Sequence, residues 1–242
     1  MGSEASLHLQ INPVTNEPFL RLSSPHENII ITPPRVGDDE HLLVLFSDIR
    51  IAAWLYPISI PFTRAHAQAM LREAKDEADA LLNTKCSPNT GHTNSHPRFV
   101  GGCPVKCIRE VRNDGTDVFI GYITVHRGVY EDVPDETKRR TIMEENEKKP
   151  VGDPSIRWSI RNVLLPDYHG RGIMTSVIGQ MVHGWIVPRM NGRYIVAFTF
   201  ASNIGGERVL EKNGFVKVAV FEKMVRGEGT KVNHMEWKMQ IA

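Results

Sequence analysis

The sequence lacks the features that mark membrane, secreted and nucleic-acid-binding proteins. No apolar run reaches the roughly 18 residues that a membrane-spanning helix needs, so we expect no membrane partner. Only 3 cysteines are present, an odd number, and no signal peptide precedes them, which predicts a reducing, cytoplasmic location. The formal charge is +1 and no stretch is rich in lysine and arginine, so we expect no nucleic-acid partner.

Linkers, internal repeats and low-complexity segments are also missing from the chain. We therefore expect one domain over residues 28–242, preceded by an N-terminal extension of residues 1–27. A charged block between prolines predicts an insertion at residues 127–155. Hydrophobic residues make up 41% of the sequence, which is enough for a substantial core.

The common nucleotide and metal motifs are absent as well. The chain contains neither GxGxxG nor GxxxxGK followed by Ser or Thr, which mark dinucleotide and nucleoside-triphosphate sites. Cys86, His92 and His96 share one loop that could hold zinc, but no second pair of ligands is near in sequence. We therefore predict no metal site.

The most informative segment that is present runs from Val163 to Thr175. It begins as an apolar strand, continues as a polar turn with Gly170 and Gly172, and then repeats apolar residues at helical spacing until Pro188, where we expect the helix to end. The first turn of a helix offers unpaired N–H groups and the positive end of the helix dipole, and both attract phosphate. The segment therefore predicts a phosphate-binding turn.

This turn resembles the acyl-CoA pyrophosphate loop of the GNAT N-acetyltransferase superfamily, whose pattern is Gln/Arg-x-x-Gly-x-Gly/Ala. His169 and Met174 depart from that pattern at its first and last positions. A second segment, from Asn203 to Phe215, follows an apolar strand and resembles the family's strand–Asn–helix–Lys-x-Gly-Phe hallmark in its RimJ/RimL-like form. The strand at 120–125 resembles a third family element.

The resemblance implies an α/β fold, with a single mixed, mostly antiparallel sheet split in a V between central strands and flanked by helices. It also implies acetyl-CoA as the cofactor and CoA as its product. The pantetheine arm would pair with the edge of the first split strand, and the phosphates would lie on the turn. The residues expected at the cofactor are Val163, Leu164, Leu165, His169, Gly170, Arg171, Gly172, Ile173, Met174, Thr175, Asn203 and Lys212.

Acetyl transfer needs a neutral amine, a stabilised oxyanion and a leaving thiolate. Many family members place a tyrosine acid where this sequence has Leu210, so we expect catalysis to rest mainly on positioning. The resemblance places Asn203 near the thioester, and we expect a backbone N–H near Leu165 to hold the oxyanion. The candidates for the base are His126 and Glu222, although the simpler interpretation of each is a surface residue.

Trp54, Tyr56 and either Ser159 or Arg161 are candidates for contact with the acceptor. The resemblance places Trp54 and Tyr56 in the loop between the first two helices, which helps to wall the acceptor site in this branch. Ser159 and Arg161 share one face of their strand, and either could border the site.

The implied function is direct N-acetylation of a primary amine, without an acyl-enzyme, because neither hallmark contains a cysteine. The acceptor is a protein N-terminus or a small molecule, and the protein is a monomer or a homodimer. The alternative is a non-catalytic acyl-CoA-binding sensor or scaffold, which the missing tyrosine and the departures at His169 and Met174 favour.

Overall fold

In a computed structural model of the chain we describe residues 9–55, 61–83, 99–225 and 230–241. The strands are β1 (Gln10–Ile11), β2 (Pro18–Arg21), β3 (Ile29–Thr32), β4 (Cys107–Val111), β5 (Asp117–Arg127), β6 (Arg157–Leu164), β7 (Tyr194–Phe200), β8 (Val216–Val225) and β9 (Thr230–Gln240). The α-helices are α1 (Asp38–Ser47), α2 (Ile49–Ala52), α3 (Arg64–Asn83), α4 (Glu136–Lys148), α5 (Ile173–Met181), α6 (Val187–Met190) and α7 (Ile204–Lys212).

The strands form one open sheet in the order β1-β2-β3-β4-β5-β6-β7-β9-β8. Every neighbouring pair is antiparallel except β6 and β7, which are parallel. This sheet and its flanking helices confirm the predicted α/β fold. β1 and β2 lie before residue 28 and extend the sheet at one edge, so the predicted N-terminal extension contributes strands.

The central feature of the sheet is the short contact between β6 and β7. They pair only through Arg157–Ser159 of β6 and Tyr194–Val196 of β7. Beyond this point β6 continues along β5 to Leu164, and β7 continues along β9 to Phe200. Because the outer edge of each strand is held by an antiparallel partner, the two strands diverge and leave the predicted V-shaped gap.

Helices cover both faces of the sheet. On one face, Val177 and Met181 of α5 and the following Trp185 are buried in the larger apolar core. On the other face, Leu42 and Leu45 of α1 are fully buried in a second cluster with residues of α3. The buried residues of α3 are all alanines, Ala67, Ala74 and Ala78, and such small side chains permit a close helix approach. Among the described helices, none is long and apolar enough to cross a bilayer.

The helix after the phosphate turn differs from its prediction at the far end. A π-helical turn at Val182–Ile186 follows α5, and α6 then carries Pro188 in its own first turn. The prediction that Pro188 ends the helix is wrong by one turn, since a first-turn proline needs no N–H partner. The helix ends instead at Asn191, which has a left-handed φ of 51°.

Gly121 of β5 allows close contact with the last residues of β6, where the gap is already open. A Cβ at this position would lie 2.5 Å from the Val163 carbonyl oxygen and 2.9 Å from Leu164 Cδ1. We predict that Gly121→Ala lowers the free energy of unfolding by about 2 kcal/mol or more, because the backbone of β6 must shift. Urea denaturation measures this change.

The matched control is Gly205→Ala in α7, where the new Cβ would meet only Asn203 Oδ1 at 3.8 Å. This variant should be at least as stable as the wild type, since alanine favours a helix over glycine. Equal stability of the two variants would contradict a tight β5–β6 contact at Gly121.

Candidate active site

The phosphate turn has the backbone that its glycines predict. Gly170 and Gly172 adopt left-handed φ angles of 72° and 78°, a conformation that glycine adopts without strain. Gly172 is the N-cap of α5, and no side chain caps this helix. A Cβ at Gly170 would meet nothing within 4 Å, and a Cβ at Gly172 would meet only His26, at 3.5 Å. The turn therefore presents uncapped first-turn N–H groups on an open surface, which suits a phosphate.

His26 holds this turn from the N-terminal part of the chain. Its Nε2 lies 3.0 Å from the Arg171 carbonyl oxygen, and its Nδ1 lies 2.9 Å from Ser176 Oγ. Since a carbonyl can only accept, Nε2 carries a proton and the ring bridges the turn and the first turns of α5. Sequence analysis missed His26, because His26 and Arg171 are 145 residues apart and no local pattern links them.

A cavity of about 690 Å³ fills the gap between β6 and β7 and reaches the phosphate turn. Most of the predicted cofactor-binding residues line it: Val163, Leu164, His169, Gly170, Gly172, Ile173, Met174, Thr175, Asn203 and Lys212. Leu210, which stands where many family members have a tyrosine acid, also lines the cavity, as does Arg208. One connected space thus joins the open strand edge, the phosphate turn and the N-terminus of α7.

Along the open edge of β6, the backbone N–H and C=O groups of every second residue point into this gap. The Leu165 N–H donates to the Ile120 carbonyl at 2.8 Å, so it faces β5, and the Val163 carbonyl also faces β5 beside Gly121. Backbone groups alternate along a strand, so those of Asn162 and Leu164 point to the open edge. Leu165 does not line the cavity, so the backbone N–H groups near Leu165 that face the gap are those of Asn162 and Leu164.

Asn203 lies at the mouth of the gap and caps α7. Its Oδ1 accepts a hydrogen bond from the Gly206 N–H at 2.9 Å. The side-chain oxygen is therefore already used, and the amide nitrogen remains as the group for a polar contact in the cavity. Asn203 has a structural role that the sequence analysis did not assign to it.

Trp54 also lines the cavity, with its ring centroid 6.4 Å from that of Phe200. Its contact with an acceptor stays a prediction. Arg161 and Glu131 also line the cavity and form an ion pair with Nη2 and Oε1 3.0 Å apart. Among the cavity-lining residues of the described ranges, Glu131 is the only carboxylate.

The loop that carries Glu131 is fixed on both sides. Asp132 forms an ion pair with the buried Arg157 at 2.8 Å, and the Arg157 guanidinium lies 4.3 Å from the centroid of the Tyr130 ring. Tyr130 adopts a left-handed φ of 50°, which is unusual for a bulky residue. Glu131 is thereby held over the cavity. Sequence analysis missed it, because a single acid in a charged insertion carries no local signal.

Comparisons with known proteins agree with this geometry. Residues 28–216 match the family model described as an acetyltransferase (GNAT) domain. The chain belongs to the GNAT acetyltransferase family. This membership confirms the predicted family and shows an acetyl-CoA-dependent acetyltransferase. No curated protein sequence matches the chain.

Solved structures resemble this acetyltransferase in fold at low sequence identity. Ribosomal-protein-S5-alanine acetyltransferase from Vibrio fischeri is 15% identical, with 92% of this chain and 96% of that chain covered and a TM-score of 0.58. RimL, a ribosomal L7/L12 alpha-N-protein acetyltransferase in complex with coenzyme A, is 13% identical, with 92% and 98% covered and a TM-score of 0.59. The microcin C7 self-immunity acetyltransferase MccE, in complex with acetyl-CoA and AMP, is 12% identical, with 89% and 93% covered and a TM-score of 0.56.

Other predicted residues of the acetyltransferase do not line the cavity. Arg171, expected beside the phosphate, has its Nη2 3.4 Å from Glu110 Oε1 and its guanidinium 5.0 Å from the centroid of the Tyr168 ring. Glu222 is an exposed residue of the edge strand β8, and it does not line the cavity. Tyr56, like Cys86, His92 and His96, lies outside the described residues.

His126 and Ser159 are cross-strand partners on β5 and β6, and neither lines the cavity. The Ser159 side chain is fully buried, and its Oγ has no hydrogen-bond partner among the described residues. Burial, with repulsion from Arg161 and Lys106, lowers the pKa of His126 from 6.5 to about 4. His126 is therefore neutral at pH 7, and it lies outside the cavity lining where an amine could bind.

The phosphate turn generates the first prediction for this site. Gly172→Glu should weaken CoA binding at least about a hundredfold, because the new side chain adds bulk and negative charge where phosphate lies. Gly172→Gln adds similar bulk without charge and should be milder, and Gly170→Ala milder still. Calorimetric titration with CoA measures the affinities, with circular dichroism to verify folding. A folded Gly172→Glu protein with normal affinity would place the cofactor elsewhere.

The buried His126 generates the second prediction for this site. Its native pKa lies below the unfolded value, so the unfolded chain takes up the proton first as the pH falls. The stability that neutral His126 contributes is complete above pH 6.5 and is lost as the pH falls toward about 4. Between pH 6.5 and about 4, the free energy of unfolding should therefore fall less in His126→Gln than in the wild type. The difference should be about 2–3 kcal/mol at most. Urea denaturation at several pH values tests this, and an unchanged pH dependence would show that His126 is not buried as a neutral ring.

Proposed function

We propose that this acetyltransferase moves the acetyl group of acetyl-CoA directly to a primary amine. The observation that carries the proposal is the single cavity with two chemically different ends. One end is the uncapped turn at Gly170 and Gly172, and the other is the carboxylate of Glu131. The split between β6 and β7 connects them, so donor and acceptor can meet inside the sheet.

The residues at the donor end fit the parts of CoA. The open turn offers N–H groups to the pyrophosphate, while Arg208 and Lys212 of α7 add positive charge along the same cavity. The open edge of β6 suits the amide groups of the pantetheine arm, which can pair as a strand does. The Leu164 N–H points to this edge, whereas the Leu164 carbonyl already accepts a hydrogen bond from His169 Nε2 at 2.8 Å. These contacts would place the thioester between β6 and β7.

The transfer forms one bond and breaks one. Acetyl-CoA supplies the activated acetyl group: the amine nitrogen bonds to the acetyl carbon as the carbon–sulfur bond breaks. The Asn162 N–H, nearer the point where β6 and β7 meet, would stabilise negative charge on the acetyl oxygen. No tyrosine acid is present at Leu210, so the thiolate takes its proton from solvent, and its ordinary pKa of about 8.5 makes it a good leaving group.

Glu131 is the group proposed to receive the amine. A primary amine with a pKa of roughly 10 enters as an ammonium ion, and a carboxylate attracts that charge and accepts its proton, directly or through water. The other described candidates, His126 and Glu222, do not line the cavity.

The cysteines suit a reducing compartment such as the cytoplasm. Cys103 and Cys107 are free and buried, and they would stay reduced there.

The proposal is tested by adding acetyl-CoA and a panel of amines, including free amino acids, polyamines and short peptides. We expect release of the CoA thiol and one acetyl group on at least one amine. In Glu131→Gln, kcat/KM should fall at least about a hundredfold, because the proton acceptor is lost, while CoA affinity stays normal.

The control is Glu144→Gln on the exposed surface of α4, which should leave kcat/KM unchanged. If CoA binds but no amine in the panel accepts the acetyl group, the protein is the acyl-CoA-binding sensor or scaffold. If transfer occurs and Glu131→Gln is fully active, another group receives the proton.

A further inference from the structure

The ion pair between Glu131 and Arg161 is unequally buried. The Glu131 side chain is only 7% exposed, whereas that of Arg161 is 43% exposed. Glu131 is held by neighbours that pack on Arg157, as described above. Arg161 is a long side chain at the rim and can move at low cost. The pair therefore consists of a fixed carboxylate and a movable guanidinium.

An amine that reaches Glu131 must share it with Arg161. The guanidinium already donates to Oε1, so an incoming ammonium ion meets a positive charge bound to the same carboxylate. Like charges at such short range oppose each other strongly at a partly buried site. Glu131 can bind the ammonium ion well only if Arg161 gains another negative partner at the same time.

The other charged groups near this end do not supply that partner. Arg50 also lines the cavity, and the Asp48 carboxylate is already engaged by the Arg50 guanidinium, with Arg50 Nε 3.0 Å from Oδ1 and Nη2 2.6 Å from Oδ2. Asp132 is engaged by Arg157. Within the described part of the cavity lining, Glu131 is the only acid. The negative partner for a displaced Arg161 must therefore come with the acceptor.

We propose that the acceptor is a free amino acid, with its ammonium group on Glu131 and its carboxylate on Arg161. This inference rests on the proposed function and specifies its substrate. Binding exchanges one ion pair for two, and the guanidinium fork suits a carboxylate. A peptide N-terminus has a neutral amide in place of the carboxylate, so it would displace Arg161 without replacing its partner.

The walls of this end select the side chain. Trp54, Phe198 and Phe200 line the cavity on the side of β7. Such aromatic surface favours an apolar or aromatic side chain over a charged one. The best acceptors are therefore amino acids such as phenylalanine, leucine and methionine.

The test compares each of these amino acids with its primary amide, with the corresponding decarboxylated amine and with a peptide that begins with the same residue. For the wild type, kcat/KM should be at least about tenfold higher for the amino acid than for its amide. In Arg161→Gln this preference should fall below about threefold. The amino acid and its amide differ in amine pKa, and comparing the ratio between wild type and variant cancels that difference.

The control variant is Arg112→Gln, an exposed arginine near the β4–β5 turn, which should keep the wild-type preference. CoA titration and circular dichroism establish that Arg161→Gln is folded and binds the donor normally. Equal use of acid and amide by the wild type, a preference for peptides, or an unchanged ratio in Arg161→Gln would each overturn the inference and leave the proposed function intact. Failure of every amine in the presence of bound CoA would overturn both.

Discussion

The site depends on one constraint, the end of the pairing between β6 and β7 at Ser159 and Val196. Up to that point the two strands hold each other, and beyond it each is held only by its outer neighbour. The strands cannot close the gap without breaking the antiparallel pairs to β5 or β9, whose hydrogen bonds are costly to lose inside a protein. The gap is therefore a fixed part of the sheet, and it exposes a strand edge where most sheets would bury one.

The two faces of the sheet contribute different residues to this gap. The α5 face supplies the phosphate end, because the turn at Gly170 and Gly172 leads directly from β6 into the helix. The opposite face carries Arg157, Ser159 and Arg161 at alternate positions of β6, together with the loop that holds Glu131. The bridge from His26 to α5 and the contacts of Arg157 to the loop fix the two ends separately.

Sequence reasoning succeeded where the signal was local and failed where it was not. The glycine turn before α5 and the strand–Asn203–helix segment each follow from a few adjacent residues, and both have the expected secondary structure. His26 and Glu131 could not be found this way, because their roles come from packing between distant segments. The contacts of Arg171 with Glu110 and Tyr168 could not be predicted for the same reason, and its attraction to phosphate stays a prediction.

The loss of the usual tyrosine acid and the neutrality of His126 have a common consequence for catalysis. Leu210 is 2% exposed and apolar, so the position where many family members carry a tyrosine acid offers no proton donor here. Burial, with repulsion from Arg161 and Lys106, keeps His126 neutral at pH 7, but His126 does not line the cavity. The free-energy gain must then come from holding amine and thioester together, which can supply several kcal/mol (about 7–11 in favourable cases). Such a mechanism demands an acceptor fixed at more than one point, and a fixed acid beside a movable arginine provides two.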